Sequence, residues 1–318
     1  MDYIVLDLEW NQSPTGRPPK NAPVFEIVEI GAVRLNDRGE QVDTFHSYVY
    51  PKIFKTMHYM TREVTGIDNK LLRREGVKFP LVMEDFFKFC GDDYCFCTWG
   101  DMDLTHLQIN CDYYKIRGKF PFPLLFLDVQ KLYSLQYEDG KDRTNLKNAV
   151  EELNIPKIEG SHFHSAFTDA KYTAEVLKRI DLEQFGKYVS VDYHKVPADK
   201  EHEIYLNFGT YTKYISREFK NKEDAMEDRI VVSCTCYACG RALRKKIRWF
   251  SLNGKQFYSL CQCPEHGYLK GKIRFKKGPG GGFFAVKTQK LVGEDVADAI
   301  RLKQKQTQKK QSARAKEK

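Results

Sequence analysis

Asp7 and Glu9 stand two residues apart at the end of the apolar run Tyr3-Ile4-Val5-Leu6. Alternate residues of a strand project to one face, so both carboxylates point the same way, ~5–7 Å apart. Such a pair repels itself, and a divalent cation is the usual remedy. Two further acidic features lie at the ends of apolar segments. Thr98-Trp99-Gly100-Asp101-Met102-Asp103 follows a predicted strand and opens a helix; His164-Ser165-Ala166-Phe167-Thr168-Asp169 leads into another, with His162 close by. A different chemistry is written into Cys236-Tyr-Ala-Cys239-Gly240 and Cys263-Pro-Glu-His266-Gly267, which share the form ligand, two residues, ligand, glycine. A glycine permits the tight turn of such a knuckle, and two knuckles make a tetrahedral Cys3His zinc site of the zinc-ribbon kind. Cys234 and Cys261 supply alternative thiols in C-x-C arrangements, so the ligand choice can shift by two residues.

These residues need elements to position them. Residues 2–8 read as a buried strand with Asp7 at its end; Ile27–Leu35, the turn Asn36-Asp37-Arg38-Gly39 and Phe45–Val49 read as an antiparallel pair. Pro80 opens a helix with Leu81, Val82, Phe86 and Phe89 on one face, ended by Gly91. Cys95–Trp99 is a strand, Leu104–Ile116 a helix, Leu124–Val129 a strand. Thr144 caps a helix whose apolar face is Leu146, Val150 and Leu153, and Ala166, Ala170, Ala174 and Leu177 recur at helical spacing to about Ile180. A meander followed by alternating strands and helices predicts an α/β domain over residues 1–182 with a mixed sheet. Residues 183–230 are polar, with one helix around Asn221–Asp228, and are expected to form a connector. Residues 231–290 read as short strands of a small β module, in which Gly278–Gly282 is a turn. Residues 291–318 are expected to start as a helix and continue, from Lys303, as a disordered basic tail.

Of 318 residues 42% are apolar, an ordinary share for a globular core. Disordered and collagen-like classes are thereby excluded. No stretch approaches the ~18 apolar residues of a membrane helix, and the acidic start MDYIVLDLEWNQ does not read as a signal peptide. A cytoplasmic location is the expectation, and nine cysteines there are not expected to form disulfides. The formal charge of +9 is unevenly spread. Residues 241–277 hold eleven Lys/Arg and one acid, and residues 303–318 hold seven and one, which leaves the remainder at −7. That asymmetry points to a polyanionic partner for the C-terminal part.

Taken in order, Asp7/Glu9, then Asp103, then His164 five residues before Asp169, resemble the three motifs of the DEDDh family. This is the DnaQ-like group of 3′–5′ exonucleases on an RNase H-like fold, with a five-stranded mixed sheet flanked by helices. The resemblance spans residues 1–182 and includes Glu29-Ile30-Gly31-Ala32-Val33, Val49-Tyr50-Pro51 and Thr65-Gly66-Ile67. With Trp99-Gly100-x-x-Asp103-x-x-x-Leu107, it looks closest to the KapD-like subgroup and the RNA 3′-end-trimming exonucleases. Asp101 competes with Asp103, but Leu107 follows Asp103 at the family's spacing. The resemblance implies two Mg²⁺ or Mn²⁺ ions held by Asp7, Glu9, Asp103 and Asp169. It implies His164 as general base, and Trp10 is a candidate wedge for the terminal base.

The implied substrate is single-stranded nucleic acid with a 3′ end, RNA favoured. Arg244, Lys245, Lys246 and Arg248, interleaved with Trp249 and Phe250, and Lys272 and Arg274 beside Phe275, suit such a strand: cations meet phosphates and rings stack on bases. One structural Zn²⁺ is expected between the knuckles. The rival readings are a DNA proofreading or repair exonuclease, and a non-catalytic regulator on the same fold.

Overall fold

In the computed structural model the described residues are 1–13, 15–140, 142–158, 163–251 and 253–316, with side chains described through residue 309. His162 lies outside them. The chain divides into two compact units, Met1–His194 and Lys195–Lys318.

The first unit runs β1 (Asp2–Gln12), β2 (Phe25–Leu35), β3 (Gln41–Tyr48), α1 (Tyr59–Thr65), α2 (Asn69–Glu75), α3 (Phe79–Cys90), β4 (Tyr94–Thr98), α4 (Met102–Tyr113), β5 (Leu125–Asp128), α5 (Val129–Tyr137), α6 (Leu146–Glu152), α7 (Ala166–Leu177), α8 (Leu182–Phe185) and β6 (Ser190–Val191). Its sheet has the order β3-β2-β1-β4-β5-β6, so a short sixth strand joins the five expected. β1 pairs antiparallel with β2 and parallel with β4, which makes the sheet mixed. Lying centrally, β1 is covered on both faces. Ile4, Leu6 and Leu8 pack with Phe79, Val82 and Phe86 of α3 and Leu104 and Leu107 of α4. Val5 faces the other layer, with Leu132, Ala149, Ala170 and Leu177 of α5, α6 and α7.

Several local expectations change. β1 continues to Gln12, with a bulge between Glu9 and Trp10, so Asp7 is mid-strand and pairs with Gly31. The buried face of α3 is Phe79, Val82, Met83, Phe86 and Cys90, whereas Leu81 is 53% exposed. The helix starts one residue before Pro80, which turns Leu81 outward. Asn145 rather than Thr144 caps α6, accepting the Asn148 backbone N–H at 2.9 Å. α4 ends at Tyr113, and Lys115 beyond it has φ +60°.

The second unit runs β7 (Ile204–Asn207), β8 (Thr212–Phe219), α9 (Lys222–Glu227), α10 (Arg229–Val232), β9 (Lys245–Ser251), β10 (Gln256–Cys263), β11 (Gly267–Lys277), β12 (Phe283–Val292) and α11 (Glu294–Lys316). It is built on a second six-stranded sheet, β7-β8-β12-β11-β10-β9, antiparallel throughout. Residues 183–230 are therefore not a connector. β6 belongs to the first sheet, and β7 and β8 are strands of the second, with Tyr214, Ile215 and Ser216 buried between Lys213 and Arg217. The cysteine knuckles thus hang on a larger sheet than an isolated ribbon. The basic tail also differs: α11 runs to Lys316, seated by buried Ala297, Ile300 and Thr307. Lys and Gln are good helix formers, and three small or apolar residues on one face suffice to dock them. Gly278–Gly282 forms the β11–β12 turn, where the Glu218 carboxylate accepts the N–H groups of Gly280 at 3.0 Å and Gly282 at 2.5 Å.

Candidate active site and metal cluster

The parallel pairing of β1 with β4 brings the carboxyl ends of both strands to one edge of the first unit. At the end of β4, Gly100 (φ +102°) makes the turn into α4. The first turn of α4 then carries Asp103 back to β1, where its Oδ1 accepts the Leu8 backbone N–H at 3.2 Å, between Asp7 and Glu9. Asp103 is 6% exposed, while Asp101 is exposed at the helix N-cap position and makes no capping bond there. The structure therefore brings Asp103, not Asp101, to the β1 carboxylates.

Asp169 arrives from the other layer. Gly31, opposite Asp7, lies against the first turn of α7; a Cβ there would sit 2.3 Å from the Ala166 carbonyl carbon and the Phe167 nitrogen. Glu29, opposite Glu9 and 1% exposed, holds the same turn: it accepts the Ser165 hydroxyl at 3.0 Å and the Ala166 N–H at 3.1 Å. His46 Nε2 is 2.8 Å from Glu29 Oε1, the same oxygen that accepts the Ser165 hydroxyl, and its ring stacks on Phe167. His164 is exposed, with φ +67°, and its backbone N–H donates to Asp169 Oδ2 at 3.1 Å. One carboxylate oxygen from each of Glu9 and Asp169 and one ring nitrogen of His164 all lie within 4.8 Å of one another.

Burial pushes Asp7 well above the ordinary carboxylate range, and the charges of Asp103, Asp169, Glu9 and Glu29 push it further. Glu9 is pushed up to about 8 by burial, then by Glu29, Asp169 and Asp103. Asp103 rises to about 7, again chiefly through burial, although the backbone N–H groups of Leu8 and its own residue oppose the shift. A cluster of oxygen donors that raise one another's proton affinity fits hard divalent cations, which would relieve the repulsion when bound.

Trp10 packs against the sheet. It is half-buried against the first core layer, with its ring centroid 4.9 Å from His106 and 5.6 Å from Phe25. Glu29 and His46 are the members of the site that sequence reasoning did not assign a role. The signal was available for Glu29: a lone acid in the apolar run Ile27–Val33 has to be hydrogen-bonded if it is buried.

In the second unit, ligand atoms of Cys236, Cys239, Cys263 and His266 lie within 4.8 Å of one another. Cys239 Sγ is 3.7 Å from Cys263 Sγ, which is 3.6 Å from His266 Nδ1. A tetrahedral ion at zinc-like bond lengths, about 2.3 Å to sulfur and about 2.0 Å to nitrogen, has edges of about 3.8 Å (S···S) and about 3.5 Å (S···N). The donor set fits such an ion. Gly240 (φ +71°) and Gly267 (φ +79°) close the two knuckles. Cys234 and Cys261 instead pack in the apolar cluster with Leu269, Leu243 and Leu291, Cys234 Sγ lying 3.8 Å from Ser259 Oγ.

The basic residues form two groups. Arg244, Lys245, Lys246 and Arg248 line a cavity of about 880 Å³ with Trp249, Leu243, Val232 and Met226. Lys272 and Arg274 alternate with Gly271 and Ile273 along β11, and Trp249 packs on the Ile273 side.

With this geometry in view, comparison with known proteins is decisive for the first unit: the sequence profile of the exonuclease family (RNase_T) matches residues 4–177. The chain belongs to the exonuclease family. It is a hydrolase acting on phosphodiester bonds, on an α/β RNase H-like fold. The probable 3′–5′ exonuclease KapD of Bacillus subtilis (strain 168) is 30% identical over 189 residues, covering 57% of this chain and 85% of that protein. The PolC-type DNA polymerase III of Clostridium perfringens (strain 13 / Type A) is 30% identical over 177 residues, covering 56% of this chain and 11% of the polymerase. Among solved structures, the nuclease domain of 3′hExo, a DEDDh family member, bound to rAMP, is 26% identical with a TM-score of 0.49, over 60% of this chain and 96% of that one.

Proposed function

We propose that the chain is a metal-dependent 3′–5′ exonuclease acting on single-stranded ends, RNA in preference to DNA, in the cytoplasm. The observation that carries this is the meeting of Glu9, His164 and Asp169 within 4.8 Å beside the mutually repelling Asp7 and Asp103. Asp7, Glu9, Asp103 and Asp169 would hold two Mg²⁺ or Mn²⁺ ions, whose bound charge supports water activation and a leaving 3′ oxygen. His164, exposed at the rim on a left-handed turn, takes the proton from the attacking water at a ring nitrogen. Asp169 accepts the His164 backbone N–H and so sets the turn that aims the imidazole. Glu29 holds the Ser165 hydroxyl and Ala166 N–H, which keeps the first turn of α7 on Gly31.

The preference for RNA rests on the KapD-like pattern around Trp99, Gly100 and Asp103. In the second unit, Cys236, Cys239, Cys263 and His266 would hold one structural Zn²⁺, a reading supported by the tetrahedral edge lengths. Its basic residues, Arg244, Lys245, Lys246, Arg248, Lys272 and Arg274, would bind the body of the same strand.

The test is a time course on 3′- and 5′-labelled single-stranded RNA and DNA with Mg²⁺ or Mn²⁺. Progressive shortening of 5′-labelled RNA, with mononucleotide released early from 3′-labelled RNA, is the expected result. Faster trimming of DNA would select the proofreading or repair alternative, and no trimming of either would reject the catalytic reading.

A further inference from the structure

One face of the second sheet gathers cations that no acid among the described residues pairs with. Lys270, Lys272 and Arg274 alternate along β11 and so share a face. In register they meet Leu260, Tyr258 and Gln256 of β10, and Lys290 of β12 stands opposite Lys270. α11 packs on this same face, its Ala297 and Ile300 joining Ile247, Leu260 and Tyr268. Beyond that anchor the helix sets a further cation over the row: Lys303 Nζ is 5.1 Å from the Tyr258 ring centroid and Lys272 Nζ is 5.9 Å from it.

The acids within reach are already engaged. Glu294 and Asp298, on the first turns of α11, both pair with Arg301 at 2.5 Å. Among the described residues, none of Lys270, Lys272, Arg274, Lys290 and Lys303 forms an ion pair. The crowding has a measurable consequence: burial, then Arg274, Lys270 and Lys303, push Lys272 down to about 8. Docking a basic helix onto a basic sheet face costs energy unless an anion enters, and the ring between the two lysines is apolar and aromatic.

We infer that Lys270, Lys272, Arg274, Lys290 and Lys303 form a phosphodiester-binding track under α11, with Tyr258 at its centre as a stacking surface for one base of a single strand. The track rests on the reading of the second unit as a nucleic-acid module and specifies where on it the strand lies. Successive residues on one strand face are about 6.6–6.8 Å apart, close to the phosphate spacing of an extended single strand, so Lys270, Lys272 and Arg274 meet consecutive phosphates.

The test uses the full chain and 5′-fluorescein 15-mers of uridylate and thymidylate, with anisotropy read at two salt concentrations and no added Mg²⁺ or Mn²⁺. Lys272→Gln/Lys303→Gln should weaken binding about tenfold or more and reduce the slope of log K against log salt by about 1.4. Tyr258→Leu should weaken binding while leaving that slope unchanged. Because repulsion is relieved, the lysine double variant should melt at the same temperature as the parent or higher. Unaltered affinity and slope in the lysine variant would overturn the track, as would a parent that binds anionic phosphatidylserine vesicles but neither oligonucleotide. A parent that binds oligonucleotides through these lysines yet cleaves no dinucleotide would leave the track standing and reject the catalytic reading instead.

Discussion

Gly31 and Ala166 approach so closely that a single methyl group on Gly31 would lie 2.3 Å from the Ala166 carbonyl carbon. Because Gly31 is the register partner of Asp7, this contact sets the distance between the β1 carboxylates and Asp169. Gly31→Ala must push α7 away from the sheet. Overpacking of this kind costs about 1–3 kcal/mol. The expected result is a lower melting temperature together with a loss of nuclease activity larger than the loss of folded protein. A variant that matches the parent in both calorimetry and turnover would show that the approach does not position Asp169.

Glu29 acts on the same turn through hydrogen bonds rather than bulk. Glu29→Gln replaces two charge-assisted bonds by weaker ones, which costs about 1–2 kcal/mol. Because Glu29 is a positioning residue, Glu29→Gln should lower kcat while changing KM little, and Glu29→Asp, which keeps the charge but shortens the reach, should restore kcat only if charge rather than reach matters. Urea melts and steady-state kinetics on one labelled oligonucleotide check both. An unchanged kcat in Glu29→Gln would remove it from the site.

The acid cluster makes the metal-free protein sensitive to pH in a defined direction. In the unfolded chain Glu9 loses its proton near its ordinary value of 4.5, but in the folded chain only at about 8. Asp103 behaves alike, from 3.8 to about 7. Between these values the folded state binds more protons than the unfolded, so stability falls as pH rises. The loss from Glu9 begins above its unfolded value and is complete once pH exceeds about 8. Denaturation at pH 6 and pH 8.5 without added divalent ions should show the fall, Glu9→Gln should reduce it, and millimolar Mn²⁺ should reverse it. A stability that rises over this range in the metal-free protein would contradict the clustering.

Asp7→Asn removes the carboxylate that feels every other acid of the site. Activity should fall by about a hundredfold or more, the scale seen when a preorganised electrostatic group is lost. Thermal stability without added metal should equal or exceed the parent's, since one repelling charge is gone. Trimming at the parental rate would show the metal assignment to be wrong.

Elemental analysis should find about one zinc per chain. Cys239→Ser should lose it, because Cys239 Sγ lies on a tetrahedral edge with Cys263, whereas Cys234→Ser should keep it, because Cys234 packs with Leu269 and Cys261. Zinc retained by Cys239→Ser and lost by Cys234→Ser would reverse the ligand assignment.

The features legible in the amino-acid order are those that local backbone periods carry. The strand period of two places Asp7 and Glu9 together, and C-x-x-C/H followed by glycine makes each knuckle. The order of the acidic motifs along residues 1–182 was enough to reach the family. Choosing among equivalent neighbours took contacts between segments distant along the chain. Asp103 prevails over Asp101 because the β4–α4 turn delivers it to the Leu8 N–H. Cys236 and Cys263 prevail over Cys234 and Cys261 because alternate residues point to opposite sides of the chain, one set to the His266 cluster and the other to an apolar core. Residues 204–219 join a sheet, and α11 docks through Ala297 and Ile300, because their few apolar residues find partners distant in sequence. A polar stretch shows its burial only once those partners are in place.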